Sequence, residues 1–166
     1  MRLIATLPVL LAIIATLPAA SVPGGWSVYV NPRFAFSICY PPDLHRRGPD
    51  STNGDGRMFV DNAGSELRVW GEYDPWEGGL REAIAQNRKF LADDGTRITY
   101  QARGENWFVL SGQKAGKIIY FRSRITRDRY TTFQLTYPKS AASKWRGRIP
   151  QLAACFHDTS PTQYDR

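Results

Sequence analysis

The sequence predicts an α+β domain in which two helices pack on an antiparallel β-sheet of about seven or eight strands. Runs of β-branched and aromatic residues alternate with polar ones, and several connectors between them are too short for parallel crossovers. Two other segments repeat apolar residues at helical spacing. With 42% hydrophobic, 13% aromatic and 22% charged residues, the chain can bury the core of one domain, which excludes disordered, collagen-like and coiled-coil classes.

The first twenty residues have the pattern of a removable export signal. After Arg2, an apolar stretch ends in the small residues Ala19, Ala20 and Ser21, so we expect cleavage after Ala20 or Ser21. An uncleaved anchor is the alternative, but prolines interrupt the stretch and a span needs about 20 apolar residues. No later stretch is apolar enough to cross a bilayer. The sequence therefore predicts a soluble periplasmic or secreted protein.

Strands are expected at regular intervals before the first helical segment. Phe36 and Ile38 share one strand face, Ser37 and Cys39 share the other, and Pro41-Pro42 ends the run. We expect strands over residues 26–30, 34–40, 58–61 and 66–71 and an exposed loop over 43–56. A helix is expected to start at Asp74-Pro75-Trp76-Glu77, where Asp can cap it and Pro suits its first turn, or only after Gly78-Gly79, and to end at Gly95.

The second half predicts a β-meander followed by a helix. We expect strands over residues 97–103, 107–113, 117–125 and 130–137, and a helix over 140–156 with Pro150 as a local flaw. The predicted order is β-β-β-β-α-β-β-β-β-α. The predicted division is a signal peptide over 1–20, one domain over 26–156 and a mobile tail over 157–166.

Export implies an oxidising compartment, in which the two cysteines, Cys39 and Cys155, are expected to form a disulfide bond. Two buried free thiols are the alternative, because the sequence does not fix the distance between them. A bridge would place the last helix over the Cys39 face of its strand. The opposite face, which carries Phe36 and Ile38, would then be left for the first helix or for solvent.

The sequence predicts no catalytic residue, metal site or cofactor. The two histidines, His45 and His157, lie in a polar loop and at the start of the tail, and neither is near an obvious serine nucleophile. The alternative function is a periplasmic hydrolase that uses His45 in a loop-lined cleft. Ser51, Asn53 and Asp55 alternate as calcium ligands do, but the bidentate Glu of a calcium loop is missing and a plain turn is favoured.

Arginines beside aromatic residues are the candidate binding residues. Arg122 and Arg124 share a strand face with Tyr120, and Arg68 beside Trp70 would join them if the two strands were neighbours. The other interpretation, which the sequence favours, is a solvated sheet edge whose arginines prevent pairing with further strands. Without Arg2 the net charge is about +6, which suits an anionic envelope component or an acidic protein surface. Export argues against a nucleic acid partner.

Several segments carry a family resemblance. Residues 26–41, the turn Asn53-Gly54-Asp55-Gly56, residues 107–112 and Ala154-Cys155-Phe156 resemble small uncharacterised exported proteins of Gram-negative bacteria. The order of elements resembles the PsbP-like fold of photosystem II accessory proteins and of a nuclear import factor that binds a small GTPase. The resemblance implies an adapter or accessory role without chemistry of its own, and it supplies no site residues. The predicted function is an exported binding or accessory module of the cell envelope.

Overall fold

The computed structural model describes residues 22–49, 51–73, 78–126 and 128–159. The predicted signal peptide, the predicted helix start at residues 74–77 and residues 160–166 of the predicted tail lie outside these ranges. In chain order the elements are β1 (Ser27–Asn31), β2 (Phe36–Tyr40), β3 (His45–Arg46), β4 (Gly56–Val60), β5 (Glu66–Tyr73), α1 (Gly79–Asp93), β6 (Arg97–Arg103), β7 (Trp107–Lys114), β8 (Lys117–Thr126), β9 (Arg129–Pro138), α2 (Ala142–Cys155) and β10 (His157–Asp158).

The strands form two antiparallel sheets, and the predicted α+β class is confirmed. The large sheet has seven strands in the order β3-β4-β5-β9-β8-β7-β6, and the small sheet has the order β1-β2-β10. The described strands exceed the predicted number because β3 and β10 have two residues each, too few to show a periodicity. The meander from β6 to β9 is as predicted. Within the described ranges, no helix has the length and apolar character that a membrane span requires.

Local chemistry fixes the boundaries of these elements. Helix α1 ends at a glycine cap: Gly95 has a φ of 83°, and the Thr96 N–H donates to the Leu91 carbonyl at 2.8 Å. The turn between β7 and β8 places Ala115 and Gly116 at φ values of 46° and 77°, the pair of positive values that a two-residue hairpin turn needs.

Two boundaries differ from the prediction. The strand expected from residue 34 begins only at Phe36, because Ala35 has a φ of 45° and interrupts the extended backbone. His157 and Asp158, which the sequence placed in the mobile tail, pair with Ser37 and Phe36 of β2. The Thr159 N–H also donates to the Ala35 carbonyl at 2.7 Å. The domain therefore extends beyond residue 156.

One face of the large sheet packs against the small sheet and α2. Phe36 and Ile38 of β2 are fully buried, and the Phe156 ring lies 6.0 Å from the Phe36 ring and 5.2 Å from the Phe133 ring. Trp145 of α2 is fully buried and donates through Nε1 to the Ser65 hydroxyl at 3.0 Å. The expectation that the Phe36 face is left for α1 or solvent is wrong, because a second sheet, not foreseen, covers it.

The opposite face of the large sheet packs against α1. Ala83, Ile84 and Leu91 of α1 form a second buried cluster with strand residues, namely Phe108, Leu110, Ile119, Phe121 and Tyr130. These strand residues lie on β7, β8 and β9. Helix α1 therefore covers mainly the β7–β8 side of its face, whereas the small sheet and α2 cover mainly the β4–β5–β9 side of the other.

A disulfide bond joins Cys39 of β2 to Cys155 at the end of α2, as predicted, with the two Cα atoms 5.5 Å apart. The two cysteines are 116 residues apart in sequence. Both are buried, so the bridge lies within the packed part of the domain.

An ion cluster fastens α2 to two loops. Lys144 Nζ lies 2.6 Å from an Asp43 carboxylate oxygen and 2.8 Å from one of Asp61, and Arg148 also pairs with Asp43 at 2.8 Å. Burial alone would raise the pKa of both carboxyls, but hydrogen bonds and positive charge outweigh it: Lys144 and Arg148 act on Asp43, and Lys144 with the backbone and side chain of Ser65 acts on Asp61. The pKa of each carboxyl is lowered.

Replacing Gly71 by alanine should destabilise the fold. A Cβ at Gly71 would lie 2.3 Å from the Phe34 side chain, so we expect overpacking to cost about 1–3 kcal/mol in unfolding free energy. Gly147→Ala is the matched control: it lies inside α2 with no atom within 4 Å of an added Cβ, and helix propensity should stabilise by about 0.5–1 kcal/mol. Urea unfolding measures both; equal midpoints would contradict the packing.

Removal of the disulfide should weaken the domain strongly. For a closed loop of this length, the chain-entropy treatment gives about 4–5 kcal/mol, so we expect the Cys39→Ala, Cys155→Ala double variant to unfold at lower urea concentration. The measurement compares this variant with the oxidised protein and with the reduced protein. An unchanged midpoint in both the variant and the reduced protein would contradict a stabilising bridge.

The ion cluster should make stability depend on acid pH. Because the carboxyls of Asp43 and Asp61 have folded pKa values below the ordinary value of about 3.9, their stabilisation is complete above that value and is lost as the pH falls through the folded pKa values. We expect Lys144→Met to reduce the loss of unfolding free energy between about pH 5 and pH 2. Lys139→Met, an exposed lysine, is the control. Parallel pH curves for Lys144→Met and wild type would contradict the assignment.

Candidate functional site

The five predicted binding residues lie on opposite faces of the large sheet. Strand β9 separates β5, which carries Arg68 and Trp70, from β8. In the register across β9, Phe133 lies opposite both Val69 and Arg122, so Arg122 shares the face of Val69 while Arg68 lies on the other. Arg68 and Trp70 therefore do not join the residues of β8. The structure has two separate candidate surfaces.

Neither surface is a sheet edge, which corrects the interpretation that the sequence favoured. Strand β8 pairs with β9 along its whole length and with β7 from Lys117 to Arg124, and β5 pairs with β9 along its whole length and with β4 from Glu66 to Trp70. Arginines on interior strands cannot serve to block further strand pairing, because both sets of backbone hydrogen-bonding groups are already used. The arginines need another explanation.

The first surface is a groove of about 710 Å³, here called the β5 groove. It lies on the α1 side of the large sheet, next to the part that α1 covers. The strands, the loop before β4 and the second half of α1 supply its lining: Arg47, Pro49, Ser51, Asp55, Gly56, Arg57, Met58, Arg68, Val69, Trp70, Phe90 and Gln134.

Strand pairing explains how the floor of the β5 groove forms. Gly56 lies opposite Trp70 and Met58 lies opposite Arg68, so these side chains share one face. A Cβ at Gly56 would lie 2.0 Å from the Val69 carbonyl oxygen, so the close approach of β4 to β5 requires glycine there. Phe90 of α1 forms a wall; its side chain is 62% exposed although it is large and apolar.

Positive charge predominates in the β5 groove. Its lining contains Arg47, Arg68 and one carboxylate, Asp55, while Arg57, which is paired with Val69, directs its side chain to the other face of the sheet. Glu66, at the rim, accepts from Arg68 Nε at 2.5 Å and lies 3.7 Å from Arg47. Arg57 donates to the Gly48 carbonyl at 2.9 Å, which holds the loop before β4 against the strand. The groove therefore combines guanidinium groups with the half-buried side chains of Met58 and Trp70 and the exposed ring of Phe90.

Glu72 of β5 lies next to the β5 groove, on the same face of the strand as Trp70. Burial raises the pKa of the Glu72 carboxyl, a hydrogen bond from Trp70 Nε1 opposes the rise, and the negative charge of Asp55 adds to it. The net pKa is above the ordinary range, so this carboxyl carries less negative charge in mild acid than an exposed glutamate does.

The second surface, here called the β8 patch, consists of Tyr120, Arg122 and Arg124 with Trp107 of β7. As predicted, the β8 residues share one face, which is the face of the small sheet. The Arg122 guanidinium carbon lies 4.5 Å from the centre of the Trp107 ring, and Arg124 Nη1 donates to the Phe156 carbonyl at 3.1 Å.

The histidines do not assemble a catalytic site. His45 is exposed in β3 and does not line the β5 groove. His157 Nε2 lies 3.0 Å from the Ser37 hydroxyl, a contact that the sequence analysis missed because it did not foresee β10. Ser37 is only 3% exposed and is paired on both sides within the small sheet, so its hydroxyl fastens β10 to β2.

Arg33 contacts the segment from Ser51 to Asp55, in which oxygen-bearing side chains alternate as in a calcium loop. Asp55 lies 3.6 Å from Arg33 Nη1 and accepts from Asn53 Nδ2 at 2.7 Å, while Arg33 also donates to the Asn53 carbonyl. Ser51 bonds to the Gly56 backbone. The Arg33 guanidinium thus lies beside the oxygen atoms that were candidate calcium ligands. All of these contacts are consistent with a plain turn.

Solved structures with the same fold are known. Cyanobacterial PsbP (CyanoP) from Synechocystis sp. PCC 6803 superposes with a TM-score of 0.63 at 15% identity, over 87% of this chain and 98% of CyanoP. A protein from Bacteroides thetaiotaomicron VPI-5482 superposes with a TM-score of 0.54 at 16% identity, over 82% of this chain and 49% of that one. No family model and no curated protein matches the sequence. The fold is PsbP-like, as predicted, and at these identities the likeness concerns the fold alone.

Proposed function

We propose that the chain is an exported accessory module of the cell envelope that binds an anionic partner in the β5 groove. The observation that carries the proposal is the lining of this groove, in which Arg47 and Arg68 lie beside the half-buried side chains of Met58 and Trp70 and the exposed ring of Phe90. The module acts by binding, and its partner is an envelope component or a protein segment that presents an oxyanion beside an apolar group.

The lining suits such a partner for two reasons. A guanidinium group donates two parallel hydrogen bonds to a carboxylate or a phosphate, and it is less strongly hydrated than an ammonium group. Trp70 and Phe90 offer apolar area next to these donors, so a ligand with both features gains from each. The volume of about 710 Å³ is in the range of pockets that hold small ligands or short peptide segments.

The disulfide supports the exported part of the proposal. Disulfide bonds persist in oxidising compartments, and the two cysteines of this chain are joined to each other. The small-residue exit after the apolar N-terminal stretch agrees with export. No described contact favours the alternative of a hydrolase that uses His45, because the exposed imidazole is not among the residues that line the β5 groove.

Charge reversal of Arg68 should abolish most of the binding in the β5 groove. The probe is dodecyl phosphate below its critical micelle concentration, titrated into the full-length mature protein while Trp fluorescence is followed. We expect Arg68→Glu to weaken binding by at least about tenfold, because one charge-assisted hydrogen bond is lost and repulsion is added. Higher salt should weaken binding to the wild type more than to the variant.

Arg146→Glu is the matched control, because this exposed arginine lies on α2, which packs on the other face of the large sheet. It carries the same change in net charge and should bind as the wild type does. Equal binding by Arg68→Glu and Arg146→Glu would overturn the assignment of the groove, and so would the absence of saturable binding to the wild type.

A further inference from the structure

The β8 patch holds two arginine side chains close together on the face of the sheet opposite to the β5 groove. Alternation along β8 places Arg122 two residues from Arg124, and both side chains are half-buried. The small sheet and α2 cover this face mainly over β4, β5 and β9, so the patch lies at the margin of the covered region. Tyr100 of β6, which shares the face, is 57% exposed.

Arg124 is held in place by backbone at the end of α2. Its Nη1 donates to the carbonyl of Phe156, the residue that caps the C-terminus of this helix, where carbonyl groups lack partners within the helix. Asp158 lies within electrostatic reach, but both of its carboxylate oxygens already accept from Arg129 at 3.1 Å. Arg124 is therefore positioned without forming an ion pair of its own with a described carboxylate.

Arg122 is positioned by an aromatic ring. Its guanidinium lies over Trp107, and no carboxylate of the described residues lies within ion-pair distance of it. The Nε atoms of Arg122 and Arg124 are both buried, and neither has a hydrogen-bond partner within the part of the chain that the structure describes. Buried donors of this kind cost free energy until an acceptor reaches them.

The two charges also act on each other. Burial lowers the pKa of Arg124, the positive charge of Arg122 lowers it further, and Asp158 opposes both effects. Burial raises the pKa of Tyr120, although the positive charge of Arg122 and a hydrogen bond between the two side chains oppose the rise, so its phenol stays protonated and keeps a hydrogen to donate. Two cations and a donor thus lie together, fixed by contacts that do not neutralise the charge.

We propose that the β8 patch is a second binding site, at which Arg122 and Arg124 hold the oxyanion of a phosphate or carboxylate group between Trp107 and Tyr120. An oxyanion there would accept from the terminal guanidinium N–H groups and relieve the repulsion between the two cations. Because this site and the β5 groove lie on opposite faces of one sheet, the module binds two anionic groups at once.

The test titrates inorganic phosphate and, separately, acetate into the full-length mature protein, with sodium chloride at matched ionic strength as the reference. The readout is the NMR resonances of the Trp107 indole N–H and of the arginine Nε–H groups. We expect a saturable shift with phosphate or acetate that chloride does not produce. Tighter binding of phosphate assigns a phosphate ligand, and tighter binding of acetate assigns a carboxylate.

Arg122→Gln should weaken the binding by about tenfold or more. Arg122→Lys keeps the charge but loses the forked donors, so its affinity should lie between those of Arg122→Gln and the wild type. Arg81→Gln, an exposed arginine on α1, is the matched control and should bind as the wild type does.

A second measurement keeps the test decisive if Arg122→Gln folds poorly. At matched ionic strength, phosphate or acetate should raise the Tm of the Arg68→Glu variant, whose β5 groove is disabled, above its value in chloride, since a ligand that binds only the native state stabilises it. Resonances that do not move, or shifts equal to those in chloride, would overturn the proposal. Equal affinity of Arg122→Gln and Arg81→Gln would also overturn it.

Discussion

The large sheet is too wide for either of its covering layers, and this mismatch shapes the rest of the molecule. Phe36 and Phe156 pack on Phe133 and fix the small sheet and α2 over one side of one face. Leu91 of α1 packs over the other side of the opposite face. An uncovered area remains on each face, at opposite ends of the sheet, and each area carries arginines beside aromatic rings. The β5 groove and the β8 patch are therefore consequences of the same packing constraint.

Local chemistry made most of the elements predictable. The strands of the meander, the glycine cap at Gly95 and the disulfide follow from spacing, turn residues and the number of cysteines. The division into two sheets could not be predicted in this way. The alternation of apolar and polar residues in a strand indicates which residues face a core, but it does not indicate which strand lies next to it. The positive φ of Ala35, which shortens β2, leaves no trace in a run that alternates well.

The candidate sites were predictable only in part for a related reason. Alternation within a strand correctly paired Arg68 with Trp70 and Arg122 with Tyr120, but the relation between the two pairs depends on β9, which separates them. Phe90 lines the β5 groove because α1 packs against the large sheet, and this packing joins residues that are far apart in the sequence. In the sequence, Phe90 lies just outside the apolar face of α1, so its side chain cannot pack in the core under that face. This position is the sequence signal that could have indicated an exposed, ligand-contacting role.

The bridge between Cys39 and Cys155 also determines how the domain bears mechanical load. A pulling force that enters before Cys39 and leaves after Cys155 passes through a covalent bond, so the 115 residues between them carry no tension. Only β1, the first half of β2 and β10 can peel away under such a force, because their hydrogen bonds alone resist it. A tether attached at both ends would therefore keep the strands of the large sheet free of tension, and the load would reach the two surfaces through the contacts of Arg33 with Asp55 and of Phe156 with Arg124.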